Sequence, residues 1–194
     1  MNTTQMKSFS QYLTSTKQSS SSGLTAEKKS HPLIFLDYDG VLTSTLEIPG
    51  SYINHVGDEY GTSPGCLKKL LDLCKKAKAK IVITSNWRKF PPEGFWHSKK
   101  NRQVKNNLPE LKKVLGNLIY SELPPERHIS KSEAMELWAE DHPEFDWKTD
   151  KYVIFDDDVR EDFQGSKFRH HFILTDPTYG LTDNDCKKAM EMLT

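Results

Sequence analysis

An α/β fold, with a parallel sheet covered by helices on both faces, is what this sequence predicts, and three observations predict it. From His31 onward, short apolar runs rich in β-branched residues alternate with segments of helical periodicity. The runs are too short for helices and lack polar alternation, as strands buried on both faces do. Three of them end in clustered polar residues, Asp37-Tyr38-Asp39-Gly40, Ser85-Asn86-Trp87-Arg88 and Asp156-Asp157-Asp158. The carboxyl ends of parallel strands are where such sheets place their ligands.

Met1 to Ser30 precede this pattern. They are rich in Ser, Thr, Gln and Lys, with Phe9, Tyr12 and Leu13 as an isolated apolar cluster, which predicts a mobile tail (1–30) ahead of one domain (31–194). A linker, a cloning remnant and an export address read without cleavage all fit that composition. The first strand is the Leu-Ile-Phe-Leu run that ends at Asp37. Thr43 to Gly61, with Pro49, Gly50 and Gly57, is a loop. Ser63-Pro64 then supplies an N-cap and a first-turn proline. Leu67, Leu70, Leu71, Cys74 and Ala77 recur at helical spacing and leave Lys68, Lys69, Lys75, Lys76 and Lys78 toward solvent. Ile81 to Thr84 is the second strand. After Pro91, Pro92 and Gly94 comes a basic stretch, and Pro109 opens a short helix through Leu115, followed by a short strand at Leu118 to Tyr120. A helix carrying Ala134, Met135 and Trp138 begins at Ser130 or Lys131. Tyr152 to Phe155 and Phe172 to Leu174 are further strands, and a last helix is capped at Thr182 or Asp183.

The 194 residues suffice for one domain with a real core, and a formal net charge of zero gives no global argument for nucleic-acid binding. Three cysteines, Cys66, Cys74 and Cys186, without a CxxC pair argue against a disulfide framework or zinc ribbon, so a reducing compartment such as the cytoplasm is expected. No apolar stretch approaches the roughly 20 residues that span a bilayer, and no internal repeat is present.

The string IFLDYDGVL, Ile34 to Leu42, carries the chemistry. Asp37 emerges from a buried strand as a nucleophile, Asp39 two residues later serves as general acid and base, and Gly40 lets the backbone turn sharply beside a phosphate. A calcium loop also contains DxDG, but its closing glutamate is missing here. Convergence of Asp37, Asp39, Ser85 and the triple aspartate would crowd carboxylates that repel by roughly 4 kcal/mol per pair at 4 Å and an effective dielectric of 20. A divalent cation relieves this, and hard oxygen ligands beside a phosphate favour Mg²⁺. The plainer reading is that Asp156 to Asp158 cap a turn.

In order and type, these strings resemble the four motifs of the haloacid dehalogenase-like (HAD) hydrolase superfamily. IFLDYDGVL resembles motif I. IVITSN resembles motif II, with Ser85 aligned to its phosphate-binding hydroxyl, Thr84 as fallback and Asn86 beside it. Lys131 in HISKSEAMELW falls at motif III, although a lysine at a helix start is commonly a solvated side chain, and YVIFDDD resembles motif IV. The resemblance implies a Rossmann-like parallel sheet, an aspartyl-phosphate on Asp37, proton transfer by Asp39, and Mg²⁺ held by Asp37, Asp39, Asp157 and Asp156, with Asp157 the principal motif IV ligand. TSNWR and the late TDPTYGLT are similar to strings in small HAD domains found in RNA-repair proteins. There Arg88 would touch phosphate; otherwise Trp87 packs under the sheet and Arg88 pairs with a surface carboxylate.

The intervals between motifs are largely used by helices and strands, so little or no cap is expected. An open site suits a phosphate on a large partner, with the chain a monomer. Phe90, Phe95, Trp96, Tyr52 and Tyr60 are either core or an aromatic wall for a phosphotyrosine ring or nucleobase, and Lys99, Lys100, Arg102 and Lys105 either face nucleic acid or are solvated. A phosphoprotein, phosphotyrosine first, is the expected substrate, ahead of a nucleic-acid end and a small metabolite. A fold that binds phosphate without catalysis is the remaining alternative. His170 and His171, adjacent on a strand, would face opposite ways and share no metal.

Overall fold

In the computed structural model the described residues are 31–46, 62–98, 102–126, 128–158, 163 and 166–194. Expectations for Met1 to Ser30, for Pro49, Gly50, Tyr52, Gly57 and Tyr60, and for Lys99 and Lys100 lie outside them. The chain runs β1 (Leu33–Leu36), α1 (Pro64–Ala77), β2 (Lys80–Ile83), β3 (Phe95–His97), β4 (Arg102–Val104), α2 (Leu108–Leu115), β5 (Ile119–Glu122), α3 (Lys131–Asp141), β6 (Tyr152–Asp156), β7 (Phe172–Leu174) and α4 (Asp183–Leu193). Five strands form one parallel sheet in the order β5-β2-β1-β6-β7, with Leu36 beside Ile83 on one flank and Phe155 on the other. From β1 the chain builds outward through β2 to β5, then returns to add β6 and β7 on the far side. The reversal leaves a crevice at the carboxyl end of β1.

Strand alternation divides the core into two layers. Ile34, Leu36, Ile81, Ile83, Val153 and Phe155 pack with α1, α2 and α4, whereas Leu33, Phe35, Val82, Tyr152 and Ile154 pack with α3 and a cluster around Trp138, Phe145 and Trp147. Each such side chain buried fully contributes roughly 1.5–3 kcal/mol. Exposed ion pairs such as Lys113 with Glu110 contribute at most about 1 kcal/mol, so the two apolar layers hold the sheet. Lys68, Lys75, Lys76 and Lys78 are exposed, as helical spacing predicts, and Lys69 is half-buried.

The helix starts are specified locally. The Ser63 hydroxyl accepts from the Cys66 amide at 3.1 Å, and Ser130 with Glu133 and Thr182 with Asp185 form reciprocal capping boxes. Between β2 and α2 stands an antiparallel hairpin, β3 with β4, which the sequence reading does not contain. The segment is small, in keeping with little or no cap. His170 and His171 sit in a single-turn 3₁₀ helix before β7 rather than on a strand; His171 stacks on Tyr152 at 4.0 Å between centroids while His170 is exposed.

Candidate active site

Period-2 alternation along the strands places the site. Leu33 and Phe35, then Tyr152 and Ile154, face α3, so Asp37 and Asp156 one step beyond each pair face it too. The Asp37 amide donates to the Phe155 carbonyl at 3.0 Å, carrying the β1–β6 ladder out to the aspartate. From α3, the Lys131 ammonium reaches back and bridges Asp37 Oδ2 at 2.8 Å and Asp156 Oδ2 at 2.5 Å. All three side chains are buried, Lys131 to 2% exposure, so it is not a solvated lysine. Two further bonds orient the carboxylates: the Tyr38 amide donates to Asp37 Oδ1 at 2.8 Å, and the Asp158 amide to Asp156 Oδ1 at 2.9 Å.

Asp157 completes the group. One oxygen each from Asp37, Asp156 and Asp157 lie within 4.8 Å of one another, a set of hard donors that fits Mg²⁺. Three carboxylates face one ammonium, so full ionisation leaves an excess of two negative charges, which a divalent cation would cancel. Both Asp156 oxygens are already engaged, whereas Asp157 is half-buried against Gly40. Gly40 has φ +64°, and a Cβ there would run into the Asp157 carboxylate. Asp39 stands outside this trio: its Oδ2 accepts from the Trp87 indole N–H at 2.7 Å.

The same crowding moves the protonation equilibria. Burial, then the charge of Asp37, lifts Asp39 to about 7, with the Trp87 hydrogen bond opposing the rise. Burial and Asp37 likewise lift Asp157 to about 7. Asp156 is pushed up by burial and by Asp37 while Lys131 resists. Burial works against the Lys131 ammonium, but Asp37 and Asp156 outweigh it and hold it charged.

At the end of β2 the polar residues do different work. The Thr84 amide continues the ladder to the Leu36 carbonyl at 2.8 Å, and alternation after Val82 puts Thr84 on the α3 side with Asp37. Its hydroxyl is buried with no hydrogen-bond partner among the described residues. The Ser85 hydroxyl instead caps the next turn, accepting from the Trp87 amide at 3.4 Å, and Asn86 is exposed. Arg88 donates to the carbonyls of Thr84 at 2.5 Å, Ser85 at 3.0 Å and Pro124 at 3.2 Å, stapling the strand end. Phe90 and Phe95 stack on each other at 4.4 Å and pack on the core beside Trp87, which leaves Trp96 as the exposed aromatic of that segment.

The late TDPTYGLT string is structural. The Thr178 carbonyl accepts from the Ser44 and Thr45 hydroxyls and the Leu46 amide, and the Leu181 amide donates to the Val41 carbonyl at 2.8 Å. This turn therefore backs the one that carries Asp39 and Gly40. Gly180, at φ +62°, is required where a Cβ would meet Cys66 Sγ and the Thr43 carbonyl oxygen, each at 2.7 Å. Sequence alone assigns Trp87 a packing role, which it has, but not its bond to Asp39, and does not single out Asn106. Trp87 offered a signal in its place within TSNWR; Asn106, whose side chain clamps the β2 turn through the carbonyls of Trp87, Phe90 and Pro91, offered none.

A parallel sheet that ends in this constellation defines a HAD-like hydrolase of the phosphatase type, the class the motifs resembled. More narrowly, the chain belongs to the family described as the HAD domain in Swiss Army Knife RNA repair proteins, whose model matches residues 33–186 and so includes every site residue above. No curated protein matches the chain.

Proposed function

We propose that this protein is a Mg²⁺-dependent phosphate monoester hydrolase that works through an aspartyl-phosphate on Asp37. The observation that carries the proposal is the buried bridge from Lys131 to Asp37 and Asp156, with Asp157 close enough to complete an oxygen site. Lys131 fixes the Asp37 carboxyl through their buried 2.8 Å hydrogen bond. An Asp37 oxygen bonds to phosphorus as the bond to the leaving oxygen breaks, and that oxygen takes its electron pair and the proton of Asp39. Water then attacks the phosphorus and gives a proton to Asp39 as the bond from Asp37 to phosphorus breaks, which releases inorganic phosphate and restores both carboxyl groups. Mg²⁺, held by Asp37, Asp157 and Asp156, would neutralise charge on the phosphate oxygens. Thr84 is positioned to bind phosphate through its buried hydroxyl, in preference to Ser85, and Asp39 is assigned proton transfer rather than metal ligation.

For the substrate, the description of the family, as a domain of RNA repair proteins, favours a terminal phosphate on nucleic acid over phosphotyrosine. The test is a panel of 5′- and 3′-phosphorylated oligoribonucleotides, phosphotyrosine and phosphoserine peptides and sugar phosphates, with Mg²⁺ and after chelation. Metal-dependent hydrolysis abolished by Asp37→Asn is expected, with the highest kcat/KM on oligoribonucleotides. Undiminished activity after chelation or in Asp37→Asn overturns the mechanism, and a clear preference for phosphotyrosine peptides or sugar phosphates overturns the substrate assignment.

A further inference from the structure

We propose that Trp87 is a positioning residue for Asp39, biasing which carboxyl oxygen carries the proton that moves to and from the substrate; the inference rests on the phosphatase reading above. The indole N–H is a donor only. Its 2.7 Å contact to Asp39 Oδ2 therefore favours a carboxylate or an acid protonated on Oδ1, because an Oδ2 that carries the proton is the poorer acceptor for the indole. A donor-only partner thus biases a two-fold choice that an aspartate on a turn otherwise has, and favours Oδ1 as the proton-carrying atom.

The indole can do this because its own placement is over-determined. Trp87 is 5% exposed and sits edge-on to Phe90 at 6.0 Å and tilted to Phe95 at 6.3 Å. Its amide is received by the Ser85 hydroxyl, and its carbonyl accepts from Asn106 Nδ2 at 3.0 Å. The same Asn106 nitrogen holds the carbonyls of Phe90 and Pro91, and Asn106 Oδ1 accepts from the Leu108 amide at the start of α2. Asp39, by contrast, follows the strand end on the turn that contains Gly40, and its contact to the indole spans 48 residues of sequence. A rigid donor on one strand end thus orients a carboxyl on its neighbour.

Leaving-group dependence distinguishes this role from a merely structural one. An aryl phosphate expels a stable phenolate, whereas an alkyl phosphate needs its leaving oxygen protonated, and kcat/KM reports steps through that departure. Trp87→Phe removes the donor but also packing. The decisive variant replaces Trp87 with 3-benzothienylalanine, which keeps the ring shape and puts sulfur where the N–H was. With Mg²⁺ present, we expect it to lower kcat/KM for an alkyl phosphate by about ten- to a hundredfold and for p-nitrophenyl phosphate by less than about threefold. Phe95→Leu, which loosens the same aromatic cluster, should leave the ratio of the two substrates unchanged. In an Asp39→Asn background the Trp87 substitution should not change that ratio further. Equal losses on both substrates, or none, overturn the inference while leaving the phosphatase reading intact. Failure of the unsubstituted protein to hydrolyse either substrate, or full activity of Asp37→Asn, removes the reading and the inference together.

Discussion

β1 and β2 lie side by side and both end in polar residues, yet their ends are built on opposite principles. Beyond β1, Asp37 joins Asp156 and Asp157 in a group whose charges repel, with one buried ammonium between them. Beyond β2, Ser85, Arg88 and the Asn106 side chain satisfy backbone carbonyls and amides and finish the fold, while the buried Thr84 hydroxyl is left without a partner among the described residues. The first end is left electrostatically unfinished, and that is where the proposed cation and phosphate would bind. The second is hydrogen-bonded into rigidity, which is what a platform for Trp87 requires.

Substituting the ammonium should break the contrast most severely. Lys131→Met leaves Asp37 and Asp156 buried without their shared partner, and removal of one member of a buried pair costs about 3–5 kcal/mol. A denaturant midpoint should fall accordingly, with hydrolysis lost. Gly40→Ala comes next, since it adds a Cβ at a positive φ against Asp157. We expect activity to fall by about a hundredfold or more, because displacement of a positioned group by about 1 Å costs about that much. Thermal unfolding should drop less than in Lys131→Met. At the other strand end the order of effects should invert. Asn106→Ala leaves carbonyls of the Trp87 turn without their donor, at a cost of about 1–3 kcal/mol, while hydrolysis of an aryl phosphate falls only severalfold.

The contrast also predicts a pH dependence confined to the first end. Asp39 and Asp157 are lifted from an ordinary 3.8 to about 7, so between these values the folded protein without metal binds protons that the unfolded chain has released. Their contribution to stability is present below about pH 4 and lost as pH rises through about 7. Melting temperature measured with chelator should decline across that window. Added Mg²⁺ should raise it more at pH 8 than at pH 5, because the cation competes with protons for Asp157.

The contrast between the two ends was only half legible in the sequence. Strands buried on both faces announce themselves as apolar runs, and Ser63, Ser130 and Thr182 mark helix starts because caps act within one turn. Convergence of Asp37 with Asp156 and Asp157 was legible because parallel strands gather their carboxyl ends, whereas Lys131, at a helix start, entered only through the family resemblance. The hairpin of β3 and β4 was not legible: its three-residue strands lie among prolines, glycine and lysines, and only their mutual pairing makes them strands. Nor was the division of labour between Thr84 and Ser85, which turns on strand parity rather than residue type, or between Asp39 and the trio, which turns on an indole 48 residues away.

Trapping the covalent intermediate tests the central claim most directly. The protein is mixed with Mg²⁺ and an aryl phosphate, quenched in acid within a turnover, digested and analysed by mass spectrometry. A phosphate adduct on the peptide carrying Asp37, present in Asp39→Asn and absent in Asp37→Asn, is the predicted result. Turnover without any such adduct, or an adduct that persists when Asp37 is asparagine, would contradict it.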